Sequence, residues 1–406
     1  MKELIIKITI RRWLILGIFN LLLVAALGLL MRIKFLIPLP AINQKYVLHA
    51  HSHFAFSGWV SHTLMVLIAA AICNTGSRQA LPRKYQTLVV ANLFASYVML
   101  VSFFLQGYGL CSICAATATV IISYLFTAIC WRDTTHRWFR AALIFLVLSS
   151  VGTFHLAYLM SSHNTDMRLQ LASIYFFLHF QYNGWFMFAC FGLAYHWLRS
   201  RGISLRHMPF VFWAFTLSCI PTYFLSTLWW NIPGWLYCLV AVALMLQTVA
   251  WIVWLHSVLT AHRQYAHHLS AVSKWLLIGV MLAVSIKILL QDLSIFPSLS
   301  QLTYGFRAIV IGYLHLVLLV IITLFLVAYG YMKKILSSNR TAVIATGILV
   351  IGIILNELLL LLQGIAGFIN ASVGYTPMAL AVAAGIIAIG LIFLLWSQKA
   401  RNENCI

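Results

Sequence analysis

Apolar residues run along this chain in long blocks separated by short polar breaks. Twelve blocks have roughly the length of a membrane-spanning helix, about 20 residues. They cover 13–36, 47–73, 85–107, 110–131, 138–160, 170–198, 208–230, 234–256, 272–294, 302–331, 341–367 and 377–396. The pattern predicts an all-α polytopic membrane protein of about twelve transmembrane helices. Connections are short and no linker or low-complexity stretch separates the blocks, so residues 1–406 read as a single integral membrane domain. The first block, 13–31, reads as a transmembrane helix and not as a cleaved signal peptide, because no Ala-x-Ala-type site follows it and the chain stays apolar. Gly and Pro are sparse within the blocks, Pro221 being the exception, so no helix is expected to be broken at matching positions of two halves.

Composition supports the membrane reading. The chain is 63% hydrophobic and 8% charged, whereas a soluble domain carries roughly 25% charged residues. Its net charge of +20 resembles a nucleic-acid signal, but the basic residues sit in alternate loops. These are Lys2, Lys7, Arg11 and Arg12; Arg78, Arg83 and Lys84; Arg132, Arg137 and Arg140; Arg199, Arg201 and Arg206; Arg263 and Lys274; Lys333, Lys334 and Arg340; Lys399 and Arg401. The positive-inside rule then places those loops and both termini in the cytoplasm. The partner expected from this charge is the lipid bilayer of a bacterial inner membrane, with no nucleic acid. Cys111 and Cys114 form a Cys-x-x-Cys pair without a following His, which excludes a c-type haem attachment site. They read as small apolar packing residues, with a disulfide or metal role as the alternative.

The candidate chemistry lies in the histidines. His49, His51 and His53 head the second block, and the charge pattern puts them in the outer half of the membrane with His155, His179 and His315. His136, His207, His262, His267 and His268 fall in cytoplasmic loops, and His196 and His256 near cytoplasmic helix ends. Ionisable groups inside a bilayer are costly and default to a functional reading, and neutral imidazole is the commonest protein metal ligand. On a helix His49 and His53 share a face, while His51 projects about 160° from His53. The three can therefore serve two cofactors on two sides of one helix. His62 lies on nearly the face of His51, roughly 16 Å deeper, as a polar core residue or a proton-path member. Among the acidic residues, Glu357 alone lies well inside a block, as a metal ligand, a proton carrier or a polar partner of another helix. Lys287, Asp292 and Arg307 are expected to pair with each other or with haem propionates.

The stretch His51-Ser-His53-Phe-Ala-Phe-Ser-Gly58 resembles the H-x-H-[LF]-A-F-x-G motif of nitric oxide reductases, and His179-Phe-Gln-Tyr-Asn183-Gly184 is similar to their H-x-x-x-E-G motif, with Asn183 in place of Glu. Together with twelve spans and an outer-half histidine set, the sequence resembles subunit I of the haem-copper oxidase superfamily. That family is a helical bundle of three pseudo-equivalent four-helix arcs. The resemblance implies one or two b-type haems bound by His49, His51, His53 and His179, with Arg307 available to propionates. It implies His53 as a haem ligand with His179 or His315 as its partner. It also implies metal ligation by His51, His53, His155, His179 and His315, with non-haem iron or copper as the second metal. His315 and Glu357 are then the candidate catalytic residues, and His49, His51, His53, His155, His179 and Glu357 are expected to converge on one cavity. An electron-donor subunit or quinol is the implied partner, and nitric oxide or oxygen the substrate. Two departures stand out. The H-x-H lies on the second span and not the tenth, and span 7 ends Leu228-Trp229-Trp230-Asn231, without the family's His-His pair. The scarcity of acids argues against long proton channels. Two alternatives stand beside the oxidoreductase: a haem or metal sensor, carrier or assembly factor that lost the binuclear centre, and a proton-coupled transporter.

Overall fold

A computed structural model describes residues 7–296, 298–299, 307–369 and 374–399. The long helices, in chain order, are α1 (Ile10–Ile33), α2 (Gln44–Ile72), α3 (Arg83–Gln106), α4 (Leu110–Asp133), α5 (Arg137–Ser161) and α6 (167–199). They continue as α7 (Met208–Thr227), α8 (Gly234–Thr260), α9 (Ala271–Leu293), α10 (307–332), α11 (Arg340–Phe368) and α12 (Thr376–Lys399). Among the described residues, eleven helices are long and apolar enough to cross a membrane. The remaining one, α6, matches them in length, but Gln170, His179, Gln181 and Asn183 dilute its apolar content.

Local chemistry sets several boundaries. Asn43 caps α2 by accepting from the backbone N–H groups of Lys45 and Tyr46, Asp166 caps α6 through Arg168 and Leu169, and Asn339 caps α11 through Ala342. Each cap satisfies N–H groups that have no partner within the helix. The apolar character is distributed as lipid solvation requires. Phe94, Leu105, Trp235 and Trp275 face outward, whereas Asn20, Asn92, Ser149 and Gln247 are buried between helices. Backbone groups in hydrocarbon must bond internally, which a helix does for itself. The few buried side-chain polar groups then carry the specific interhelical bonds.

The chain divides into two compact units: 1–133 with 326–406, and 134–325. The first holds α1–α4, the end of α10, α11 and α12; the second holds α5–α9 and the start of α10. In the first unit α11 packs along α12, α12 along α1, and α2 between α1 and α3. In the second, α5 packs against α6, and α7 against α8.

The helices are interrupted where uninterrupted α-helix was expected. Residues Ala55–Ser61 of α2, Phe180–Phe186 of α6 and Leu316–Thr323 of α10 are π-helical, and Pro221–Thr227 of α7 is a 3₁₀ turn. A π turn inserts one residue without changing composition, so hydropathy does not register it.

Candidate functional site

Each π segment begins within two residues of a membrane histidine: His53, His179 and His315. Taken in chain order by fours, α2, α6 and α10 are the second helix of each set. The first two also share a sequence, His53-Phe-Ala-Phe-Ser-Gly-Trp59 and His179-Phe-Gln-Tyr-Asn-Gly-Trp185. This repeat, H-F-x-[FY]-[SN]-G-W, was readable in the sequence and is the signal that marks both π turns. Its glycines have a common reason. A Cβ on Gly58 would collide with the Phe54 ring, and one on Gly184 would lie 2.5 Å from Phe145 Cβ. Its tryptophans, Trp59 and Trp185, are fully buried.

In α2 the carbonyls of the π turn are met by asparagines from neighbouring helices. Asn20 of α1 donates to the Gly58 carbonyl at 2.6 Å, and Asn92 of α3 donates to the Ser57 carbonyl at 3.2 Å. Tyr97 in turn donates to Asn20 Oδ1 at 2.6 Å. His51 sits on the α1 side of α2, where its Nδ1 donates to the Val24 carbonyl at 2.9 Å. Gly28 lies beside it, and a Cβ there would be 3.4 Å from His51 Cε1. Donation from Nδ1 selects the tautomer whose lone pair is on Nε2, the usual arrangement in a metal-ligating imidazole.

His49 and His53 occupy the opposite face of α2, as the helical spacing predicts. The His53 ring stacks on Phe103 with centroids 4.3 Å apart and planes 9° apart, and its Nε2 lies 3.1 Å from the Tyr108 hydroxyl. The His49 ring meets Tyr108 edge-on at 4.7 Å. His62 is fully buried, with no hydrogen bond from either ring nitrogen among the described residues, against the edge of Trp13 at 5.4 Å. Glu357, half-buried on α11, accepts from Asn356 Nδ2 at 3.1 Å.

The second unit contains the other membrane histidines. His179 is 2% exposed and both its ring nitrogens are used: Nε2 donates to the Cys219 carbonyl at 2.8 Å, and Nδ1 accepts from Asn183 Nδ2 at 3.1 Å. Asn183, which stands where the resembled motif has Glu, therefore acts as a local partner of its own histidine. His155 is exposed, and its Nδ1 donates to Ser173 Oγ at 2.7 Å, since that hydroxyl itself donates to the Leu169 carbonyl. His315 Nδ1 donates to the Ile311 carbonyl at 2.8 Å, the same tautomer as His51. Lys287 is buried and donates to Gln291 Oε1, which is followed by a 2.6 Å bond from Gln291 Nε2 to Gln247 Oε1. Asp292 accepts from Thr248 at 2.7 Å. Lys287 and Asp292 thus each bond an uncharged side chain. Arg307 opens α10, and its side chain lies outside the described residues, as do Glu3 and Glu403.

The expected site residues therefore divide between the units. His49, His51, His53 and Glu357 belong to the first, and His155, His179 and His315 to the second. Within the first unit the structure gathers His49, His53 and Tyr108. Among the described residues no group of three or more His, Cys, Asp or Glu could hold a metal ion. Cys111 and Cys114 are exposed free thiols, not the packing residues expected. Searches against family models and against curated proteins returned no match for this chain.

Proposed function

We propose that this chain is a haem-binding membrane protein with the helix order of haem-copper oxidase subunit I. The observation that carries the reading is the recurrence of a π turn just after a membrane histidine on the second helix of each consecutive set of four, which marks α2, α6 and α10 as equivalent helices, with His51 one turn before the π segment of α2. π turns collect at functional sites, and ligand helices recur in this way in a three-arc bundle. His51 and His315 are the proposed haem ligands, each on its own account. Both donate Nδ1–H to a backbone carbonyl, the tautomer in which Nε2 would be the nitrogen that binds iron. Bound haem would supply reversible one-electron chemistry. His51 would hold the iron, and the Val24 carbonyl would fix the ring that holds it. The membrane is proposed to be a bacterial inner membrane, with both termini cytoplasmic.

One observation favours a carrier, sensor or assembly role over catalysis at a binuclear centre. His179, the α6 histidine, spends both nitrogens on Cys219 and Asn183, so it offers a second metal no lone pair in this arrangement.

The test is a reduced-minus-oxidised spectrum of protein purified after haem-supplemented expression. A b-type haem signal is expected. It should be lost or shifted in His51→Ala or His315→Ala and retained in His179→Ala. No Soret absorption in the wild type, or spectra unchanged by both His51→Ala and His315→Ala, would overturn the proposal. Stoichiometric second metal with turnover of nitric oxide or oxygen would overturn the non-catalytic reading.

A further inference from the structure

The face of α2 opposite His51 carries a constellation that the haem reading does not use. His49 and His53 are one turn apart, with ring centroids 6.4 Å apart. A metal–nitrogen bond of about 2.0–2.1 Å puts two imidazoles on one ion at centroid separations from roughly 4.5 Å when cis to roughly 6.4 Å when trans, so the observed spacing suits a wide nitrogen–metal–nitrogen angle. A third donor closes the set: the Tyr108 hydroxyl, 3.1 Å from His53 Nε2, on a ring 4.7 Å from that of His49.

The surroundings hold these groups in place. His53 lies flat on fully buried Phe103. Tyr108 sits in the bend between α3 and α4, next to Gly107, whose φ of +65° suits glycine. A Cβ on Gly107 would collide with the Tyr46 ring of α2, so the bend is pressed against the helix that bears the two histidines. Ser112 Oγ donates to the Gly107 carbonyl at 2.7 Å and tightens the same turn. Access is open, because Tyr108 is 58% exposed.

We propose that His49, His53 and Tyr108 form a binding site for a divalent first-row transition ion with a preference for imidazole and oxygen donors, copper(II) above all. Copper(II) heads the affinity order for such donors and accepts tetragonal N,O sets with solvent in the remaining positions. On binding, the phenol loses its proton to solvent and its oxygen becomes an anionic ligand, so one proton is released per ion taken up. That anion matters here, because Lys45 places a positive charge near His49. The site is separate from the proposed haem ligand, since His51 points to α1 and these residues to α3 and the bend after it.

The experiment is copper(II) titration of the full chain in detergent, followed by electron paramagnetic resonance and visible absorption. The wild type should take up one ion with coupling to two imidazole nitrogens and a phenolate-to-copper absorption band. His49→Ala should weaken binding by more than the roughly 10–100-fold that loss of an outer-shell partner costs. Tyr108→Phe keeps the ring packing, removes the absorption band and should weaken binding at least about tenfold. It serves where His53→Ala fails to fold for want of its stack on Phe103. His51→Ala should bind copper as the wild type does, so failure of the haem reading leaves this result intact. The proposal is overturned if the wild type takes up no stoichiometric copper, or if His49→Ala and Tyr108→Phe bind it as tightly as wild type.

Discussion

Asn20→Leu tests whether the π turn of α2 is held by its neighbours. Asn20 is fully buried on α1 and makes two bonds of 2.6 Å, donating to the Gly58 carbonyl and accepting from Tyr97. Leucine keeps the number of side-chain heavy atoms and removes both. The Gly58 carbonyl then loses its side-chain donor in a turn whose own ladder is already disturbed, and the Tyr97 hydroxyl loses its acceptor. Interhelical hydrogen bonds in membrane proteins average about 0.6 kcal/mol and reach about 1.7. Two of them give an expected destabilisation of about 1–3 kcal/mol. The value lies below the cost of orphaning the same groups in a soluble core, because the unfolded chain in a membrane or micelle also finds partners. The assay is reversible unfolding in mixed detergent micelles, followed by circular dichroism. A double-mutant cycle with Tyr97→Phe isolates the second bond. Tyr97→Phe should cost about 0.6 kcal/mol alone and almost nothing in the Asn20→Leu background. Wild-type stability for Asn20→Leu, or additivity of the pair within about 0.3 kcal/mol, would refute the coupling of α1 and α3 through this residue.

Three glycines and the half-buried loop histidine give further expectations. Gly184→Ala should destabilise the second unit by about 1–3 kcal/mol through overpacking on Phe145, with Phe145→Ala restoring part of the loss, as read by thermal unfolding. Gly279 and Gly347 have open space around the added methyl, so alanine at either should stabilise by about 0.5–1 kcal/mol through helix propensity alone. His136, in the loop between α4 and α5, has its pKa lowered to about 4 by burial, with the nearby His196 and Arg199 adding to the shift. The unfolded ring binds a proton near pH 6.5 and the folded ring does not. The unfolded state therefore holds more protons in between, and stability should fall as pH drops from 6.5 towards about 4. His136→Gln should flatten that part of the pH–stability curve.

Spans, boundaries and the candidate histidines were legible in the chain because a bilayer imposes a nearly one-dimensional rule. A helix that crosses hydrocarbon must be apolar for a fixed length, and sequence records both quantities. The block read at 110–131 is the helix Leu110–Asp133, and that at 341–367 is Arg340–Phe368. Even α6, too polar for a simple hydropathy criterion, was visible as 170–198. Helical spacing also separated His51 from His49 and His53 before any coordinates, and the structure puts them on opposite faces. The repeat around His53 and His179 was present too, but its meaning was not. A π turn changes the register of everything beyond it while leaving composition untouched. Only the packed helices decide which carbonyls it exposes and that Asn20 and Asn92 meet them. The state of each imidazole is likewise tertiary. His179 is closed by a carbonyl 40 positions away and His51 oriented by one 27 positions before it. Both are backbone groups, which any residue type carries. Residue identity placed nitrogens in the membrane, and the approach of neighbouring helices settled which lone pairs those nitrogens still offer.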